Sequence, residues 1–303
     1  MEKLTLENVM QTIPIRPRNS HKGSFGSVLA VAGSLWYRGA AALAVEGALR
    51  TGAGIVTLAS VEPVLTAVTA RLPECCLCPC EMGAEGGISP EEQNLERIRR
   101  QKASVLLLGP GLGGSAQSAA RAQETKRLVE RLLPEFPGSG VLDADGLNAA
   151  ALLLAEGKNV PHPAGELIVT PHPGEMARLT GLRTADFNES TESRRETASR
   201  YARAWNAVVV LKGAGTVVAA PDGQTAVNTT GNPGLARGGS GDVLSGMAAA
   251  LLACGLPAYE AACAAVCLHG AAADRAAVRR GEYGMLPHDL LEELGGIFAE
   301  YRR

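Results

Sequence analysis

Short runs made almost wholly of apolar, β-favouring residues recur along this chain: Val28–Ala32, Ile55–Ala59, Ser104–Leu108, Val141–Asp143, Leu167–Thr170 and Val208–Leu211. A strand covered on one face alternates apolar and polar residues, whereas continuous runs belong to parallel strands covered on both faces. Parallel strands need crossovers. Ala40–Arg50, Ala116–Leu133, Gly146–Leu154 and Asp186–Trp205 have the length and the Ala, Leu, Arg and Glu content to supply them as helices. Thr216–Ala219 and Thr225–Asn228 flank Ala220-Pro-Asp-Gly-Gln224, whose Asp-Gly predicts a hairpin on an antiparallel edge. The tail reads as mostly helical, and Glu81–Glu91 as a surface loop. With 303 residues, 46% of them hydrophobic, and no repeat or linker, the pattern predicts one α/β domain built on a doubly wound, mostly parallel sheet with helices on both faces.

Lys plus Arg numbers 29 against 31 Asp plus Glu, a net charge of −2, so no general field draws this chain to nucleic acid or an anionic membrane. The N-terminus, Met1-Glu-Lys-Leu-Thr-Leu-Glu-Asn-Val-Met10, lacks a basic segment followed by an apolar one, and no run reads as a membrane span; a cytoplasmic protein is expected. Cys75, Cys76, Cys78 and Cys80 crowd one segment without a companion His, a spacing unlike the usual zinc patterns. Cys254, Cys263 and Cys267 sit among Ala, Leu and Val. Reduced, structural thiols are expected at all seven.

In an open sheet of this kind ligands collect outside the carboxyl ends of the strands, and the unusual residues fall there. The run Asn228–Gly246 passes from a polar turn through Gly238, Gly239, Ser240 and Gly241 into an apolar helix, with Asp242 at the junction. Glycine amides at a helix start can converge on a phosphate, and a carboxylate beside them can take a proton from an attacking hydroxyl. A helix cap with glycines for close packing is the plainer alternative. Gly109-Pro-Gly-Leu-Gly-Gly114 is formally a GxGxxG opening the next helix, but Pro110 lies inside it and no acidic residue ends a second strand about 20 residues on. Rossmann binding is rejected, and a close backbone approach to some ligand is expected.

Asp143-Ala-Asp145-Gly-Leu-Asn148 can hold water, Mg²⁺ or a hydroxyl, with Asp145 alternatively the cap of the next helix. Pro171 and Pro173 frame His172 at the sheet edge, where Glu175 can cap or orient. Lys212-Gly-Ala-Gly-Thr216 pairs one cation with small residues, suited to a phosphate or ribose unless the lysine is simply solvated. No GxxxxGK[ST] occurs, so the P-loop reading has no support. The small residues of Lys22–Gly26, Gly33-Ser34 and Gly39-Ala-Ala41 leave room for a bulky ligand across the sheet.

In this order, His21-Lys-Gly-Ser-Phe-Gly26, Gly39-Ala-Ala41, Arg50-Thr-Gly-Ala-Gly54, Leu108–Gly113, Leu142–Asn148, Thr170–Glu175 and Gly238–Asp242, continuing through His269-Gly270 to Gly281–Gly284, resemble the ADP-dependent NAD(P)H-hydrate dehydratases of the ribokinase-like fold. Leu235-Ala-Arg-Gly-Gly departs from that family's more frequent Met-Ala-Thr-like approach, placing Arg237 near the anion turn. The resemblance implies that hydrated NADH or NADPH, in its S epimer, is phosphorylated by ADP on its 6-hydroxyl and then loses phosphate, regenerating NAD(P)H and releasing AMP. It implies that Asp242 activates the hydroxyl and that Gly238, Gly239, Ser240 and Gly241 form an anion hole. Lys212, Gly213, Ala214, Gly215 and Thr216, with Gly241, would hold the AMP portion, and Ala40, Gly111, His172 and Asp242 the hydrated dinucleotide.

ATP would meet the same loops as ADP. Mg²⁺ is implied for the diphosphate, with no ligand set marked out. The resemblance further implies a homotetramer and a functional partner, the NAD(P)H-hydrate epimerase, with residues 1–303 read as the dehydratase domain and no epimerase domain present. Two other classes stay open. A small-molecule kinase of hydroxyethylthiazole-kinase type would share the Gly-Ser-Gly-Asp turn, although Thr170–Glu175 argues against it; a non-catalytic nucleotide-binding protein would have no need of Asp242.

Overall fold

The computed structural model describes residues 2–301. Its strands are β1 (Glu2–Lys3), β2 (Ser27–Val31), β3 (Ile55–Val61), β4 (Cys76–Cys80), β5 (Val105–Leu108), β6 (Ser139–Leu142), β7 (Leu167–Val169), β8 (Val208–Leu211), β9 (Val217–Ala219) and β10 (Thr225–Val227). Its helices are α1 (Leu6–Thr12), α2 (Arg38–Thr51), α3 (Glu62–Thr69), α4 (Glu92–Arg99), α5 (Ala119–Leu132), α6 (Asp145–Ala155), α7 (Pro173–Thr180), α8 (Thr191–Trp205), α9 (Ser240–Ala253), α10 (Ala258–Gly284) and α11 (Asp289–Tyr301).

The strands form one ten-stranded sheet ordered β1-β10-β9-β8-β7-β6-β5-β2-β3-β4. Among the described residues β9 alone runs against the others, through the hairpin expected at Asp222-Gly223. The apolar runs became central strands because helices cover both faces: Val28, Leu107, Val141, Ile168 and Val209 are fully buried. Register aligns Val31 with Leu108, Leu108 with Leu142 and Leu142 with Val169, so these carboxyl ends share one row.

Helices α2 and α9 lie unusually close. A Cβ on Gly246 would stand 2.1 Å from the Ala44 carbonyl oxygen, and one on Gly47 would stand 2.6 Å from that of Val243. The long α10 has the length and apolar content of a membrane span, against the reading that no run does. Yet 72% of its most apolar window is buried in the core, as for a central helix of a folded domain.

Several boundaries differ from the sequence reading. The cysteine segment is an edge strand, Cys76–Cys80, paired in parallel with β3; Pro79 hides it from a propensity reading but is tolerated at an edge. Cys75, Cys78 and Cys80 are buried and Cys76 is exposed. Helix α5 starts at Ala119 rather than Ala116, because the Ser118 side chain accepts from the Arg121 N–H and caps there. Helix α8 starts at Thr191 rather than Asp186, where Ser190 and Ser193 make a capping box. Glu81–Glu91 is only partly a surface loop: Gly86, Gly87 and Ile88 are buried, and the Ile88 carbonyl accepts from the wholly buried Arg121. Lys22–Gly26 lies before β2, at the opposite end of the sheet from the strand ends that carry chemistry; a Cβ on Gly26 would strike the Ala253 carbonyl, so that segment is packing.

Candidate active site

A cavity of 850 Å³ opens over the carboxyl ends of β6, β7 and β8 and the start of α9. Asp143, His172, Lys212–Thr216, Gly238–Asp242 and His269 line it, which brings together all but two of the residues singled out as catalytic, anion-binding, nucleotide-binding or substrate-binding. Ala40 and Gly111 are not among its lining residues. They meet each other instead: a Cβ on Gly111 would lie 2.8 Å from the Ala40 Cβ and 2.9 Å from that of Tyr37.

Lys212 is the centre of charge. Its ammonium donates to Asp143 Oδ1 at 2.8 Å and lies 3.7 Å from Glu175 Oε2, so it is a paired cation and not a solvated one. Burial pulls its pKa down, but Asp143 and Glu175, with Asp242 beyond them, outweigh that and leave it raised. Asp242 responds in the opposite sense: burial first, then the Asp143 charge, push its carboxyl up to about 7, although Lys212 opposes them. Glu175 is likewise raised to about 7, chiefly by burial. A carboxylate poised near neutrality can both take and hold a proton there.

Ala144 holds φ 51, a strained region for a residue with a Cβ, and separates two carboxylates with different employment. Asp143 faces Lys212, while Asp145 Oδ2 accepts from the Gly113 N–H at 2.8 Å. Asp145 is therefore the first residue of α6 and a tie to the β5 loop rather than its cap, and the amide that a dinucleotide phosphate would seek in a GxGxxG loop is taken. The glycines of that loop do not open a helix. Gly109 at φ 132 is pressed on the Asp143 carbonyl, where a Cβ would come within 1.9 Å, so this close backbone approach is to the chain itself.

His172 caps α7: its Nδ1 accepts from the Gly174 N–H at 2.9 Å and the Glu175 N–H at 3.4 Å, while Glu175 Oε2 accepts from the His172 N–H at 2.8 Å. An accepting Nδ1 leaves the proton on Nε2, on a ring that is half-exposed toward the cavity. Burial, then Lys212 and Arg178, hold its pKa down.

At the anion turn Gly239 has φ 99 and precedes α9 without a side-chain cap, so the first amides of a 14-residue helix face the cavity. That φ is one a residue with a Cβ rarely adopts, so the turn favours glycine, and a Cβ there would also displace the Leu43 side-chain tip, 2.5 Å away. The Ser240 hydroxyl is buried without a hydrogen bond among the described residues. Arg237 donates to the Tyr283 carbonyl at 3.0 Å, tying the turn to the far end of α10.

Two positioning groups escaped the sequence reading. Arg194, buried on α8, donates to the carbonyls of Leu211, Lys212, Ala214 and Gly215 at 2.6–3.0 Å and so fixes the Lys212–Thr216 loop from behind. His269, pushed down to about 4 by burial and hence neutral, makes a 3.0 Å contact from Nε2 to the Ser240 carbonyl and steadies the first turn of α9. The first lay unremarked within the helix-like run Asp186–Trp205, and the second stood only inside a shared His-Gly pair.

A family model described as NAD(P)H-hydrate dehydratase matches residues 28–295. The chain is 43% identical over 282 residues to the bifunctional NAD(P)H-hydrate repair enzyme Nnr of Moorella thermoacetica, covering 93% of this chain and 51% of that protein, so it spans about half the length of such relatives. It is 34% identical to the ADP-dependent (S)-NAD(P)H-hydrate dehydratase of Bacillus subtilis, covering 98% of each. The crystal structure of the Bacillus subtilis ADP/ATP-dependent NAD(P)H-hydrate dehydratase, co-crystallised with ATP and Mg²⁺, superposes with a TM-score of 0.82 at 32% identity, over 99% of this chain and 98% of that one.

Proposed function

This chain belongs to the NAD(P)H-hydrate dehydratase family, with its ribokinase-like fold, and we propose that it dehydrates the S epimer of hydrated NADH or NADPH at the expense of ADP. The observation that carries the reading is Asp242, at a pKa of about 7, beside an uncapped helix start and a buried lysine. A plain nucleotide-binding site has no use for such a carboxylate.

In the reaction the 6-hydroxyl of the hydrated ring attacks the terminal phosphorus of ADP. Its proton passes to Asp242, the P–O bond to AMP breaks, and AMP leaves with that electron pair. The amides of Gly238–Gly241 stabilise the charge on the transferring phosphoryl oxygens. The ring nitrogen then expels phosphate from C6, and loss of a proton from C5 restores the double bond of NAD(P)H. Lys212–Thr216 hold the AMP portion, with Lys212 keeping Asp143 and Glu175 from repelling the diphosphate. His172 offers Nε2–H to the hydrated dinucleotide.

No group of three or more His, Cys, Asp or Glu among the described residues is arranged to hold a metal ion. That donor set fits Mg²⁺ entering on the diphosphate with its own waters, where it would neutralise charge, better than a resident protein cage. Because one epimer is accepted, a separate epimerase activity is the functional partner. A tetramer is the assembly to seek by sedimentation.

The test is to incubate the purified chain with hydrated NADH and either ADP or ATP, following reduced-nicotinamide absorbance and AMP or ADP release. Equal yields of NADH and AMP with ADP are expected. A stable phosphorylated product without NADH would instead identify a kinase.

A further inference from the structure

We propose that Arg237 is a specificity-determining residue of this site: its guanidinium holds the terminal phosphate of the donor nucleotide and weights the choice between a diphosphate and a triphosphate. This rests on the nucleotide placement in the dehydratase reading above. At Leu235-Ala-Arg the chain departs from its family's more frequent Met-Ala-Thr-like approach, and the departure sets a full positive charge at the anion turn.

The main chain puts Arg237 at the corner of that turn. Its carbonyl accepts from the Ser240 N–H at 3.3 Å, so residues 237–240 close one tight turn whose last residue opens α9. Arg237 is exposed and lines the 850 Å³ cavity, and its Nη2 donates to the Tyr283 carbonyl at 3.0 Å, just past the non-helical Gly281 of α10. That is its one side-chain hydrogen bond among the described residues, whereas a guanidinium carries five N–H donors in a planar fork. The remaining donors are open to a ligand, and phosphate oxygens match their geometry.

Charge selects the occupant. Of the basic residues that line the cavity, Lys212 is engaged by Asp143 at 2.8 Å with Glu175 3.7 Å away, and burial keeps His269 neutral and holds the pKa of His172 down. Arg237 has no carboxylate oxygen within 4.0 Å among the described residues. A phosphate chain entering beside Asp143 and Asp242 therefore meets one cation that no carboxylate has neutralised, and each added phosphate strengthens its pull. The dinucleotide substrate carries phosphates too. The phosphoryl group that must reach the Gly238–Gly241 amides belongs to the donor, however, and Arg237 adjoins those amides in the chain.

Titration calorimetry of AMP, ADP and ATP at fixed Mg²⁺, on the wild-type protein, Arg237→Met and Arg237→Lys, decides the matter without requiring turnover. Arg237→Met should bind AMP as the wild type does and ADP roughly tenfold more weakly, the lower end for a charge-assisted hydrogen bond because the residue is exposed. ATP should lose roughly a further threefold, the effect of one more charge at about 7 Å in water-like surroundings. Arg237→Lys should keep that weighting and lose part of the affinity for both. With hydrated NADH, KM for the dinucleotide and the melting temperature should stay unchanged in both variants. Equal weakening of all three nucleotides overturns the proposal, as do equal effects on ADP and ATP, unaltered binding of both, or a rise confined to KM for hydrated NADH. A lowered melting temperature with uniform loss of affinity would make Arg237 a tie to α10 and nothing more. The expected binding pattern without regeneration of NADH removes the dehydratase reading and leaves the terminal-phosphate contact in place; turnover with nucleotide binding indifferent to Arg237 removes the proposal alone.

Discussion

Arg194→Met would delete one guanidinium that donates to four main-chain oxygens behind the Lys212–Thr216 loop, at 2.6–3.0 Å. A hydrogen bond from a charged donor contributes about 1.5–3 kcal/mol, so four of them come to roughly 6–12 kcal/mol before the cost of burying the cation is subtracted. That cost is several kcal/mol, and here it is sharpened because Nε is buried without a partner. Exposed Gly213 and Ala214 let water reach part of the freed loop, lowering the loss further. The balance is about 2–4 kcal/mol, which for a domain of this size lowers the melting temperature by roughly 4–8 °C.

The loop residues would then have to be ordered by the ligand, at about 1 kcal/mol each for the backbone. KM for ADP should rise at least about tenfold, with kcat changed little. Arg194→Lys should restore little, since one ammonium cannot span four carbonyls. Differential scanning fluorimetry and steady-state kinetics read both effects. An unchanged melting temperature together with an unchanged KM for ADP would refute the claim that Arg194 holds the loop.

Asp242→Asn keeps shape and amides but removes the base, so turnover should fall by on the order of 10²–10⁴ while calorimetry still detects ADP. Because that base must be ionised and its pKa is raised to about 7, kcat/KM should decline as pH drops through about 7, a limb absent in the Asn variant. His172→Asn preserves a capping side chain on α7 but loses Nε2–H; KM for the hydrated dinucleotide should rise roughly two- to tenfold, one hydrogen bond's worth, with ADP unaffected and melting unchanged. Gly246→Ala, which helix propensity alone would favour, should instead destabilise by about 1–3 kcal/mol in chemical denaturation, because its Cβ would stand 2.1 Å from the Ala44 carbonyl.

The central strands were legible because burial on both faces leaves an unbroken apolar signature, and the hairpin because Asp222-Gly223 names its own turn. Strand β4 was not, since its pairing with β3 supplies what Cys-Leu-Cys-Pro-Cys lacks in propensity, and β1 has two residues, too few for any period. In the site, glycines and the carboxylates that end strands announced themselves by type and position. Arg194 and His269 could not, because each acts on backbone oxygens brought near by the fold, 17–21 and 29 residues away in sequence. His172 was legible as a site residue, but its capping of α7 depends on ring orientation, which sequence does not carry.

Three acidic side chains, Asp143, Glu175 and Asp242, gather around one lysine, and burial pushes two of them, Glu175 and Asp242, up to about 7. A nucleoside diphosphate entering that pocket adds negative charge and raises those two carboxyls further, so ligand capture is also proton capture. The heat of ADP binding near pH 7 therefore depends on the ionisation enthalpy of the buffer. A cell that acidifies slightly would favour occupancy by the nucleotide while slowing the proton abstraction that follows, so affinity and turnover run in opposite directions along the pH axis.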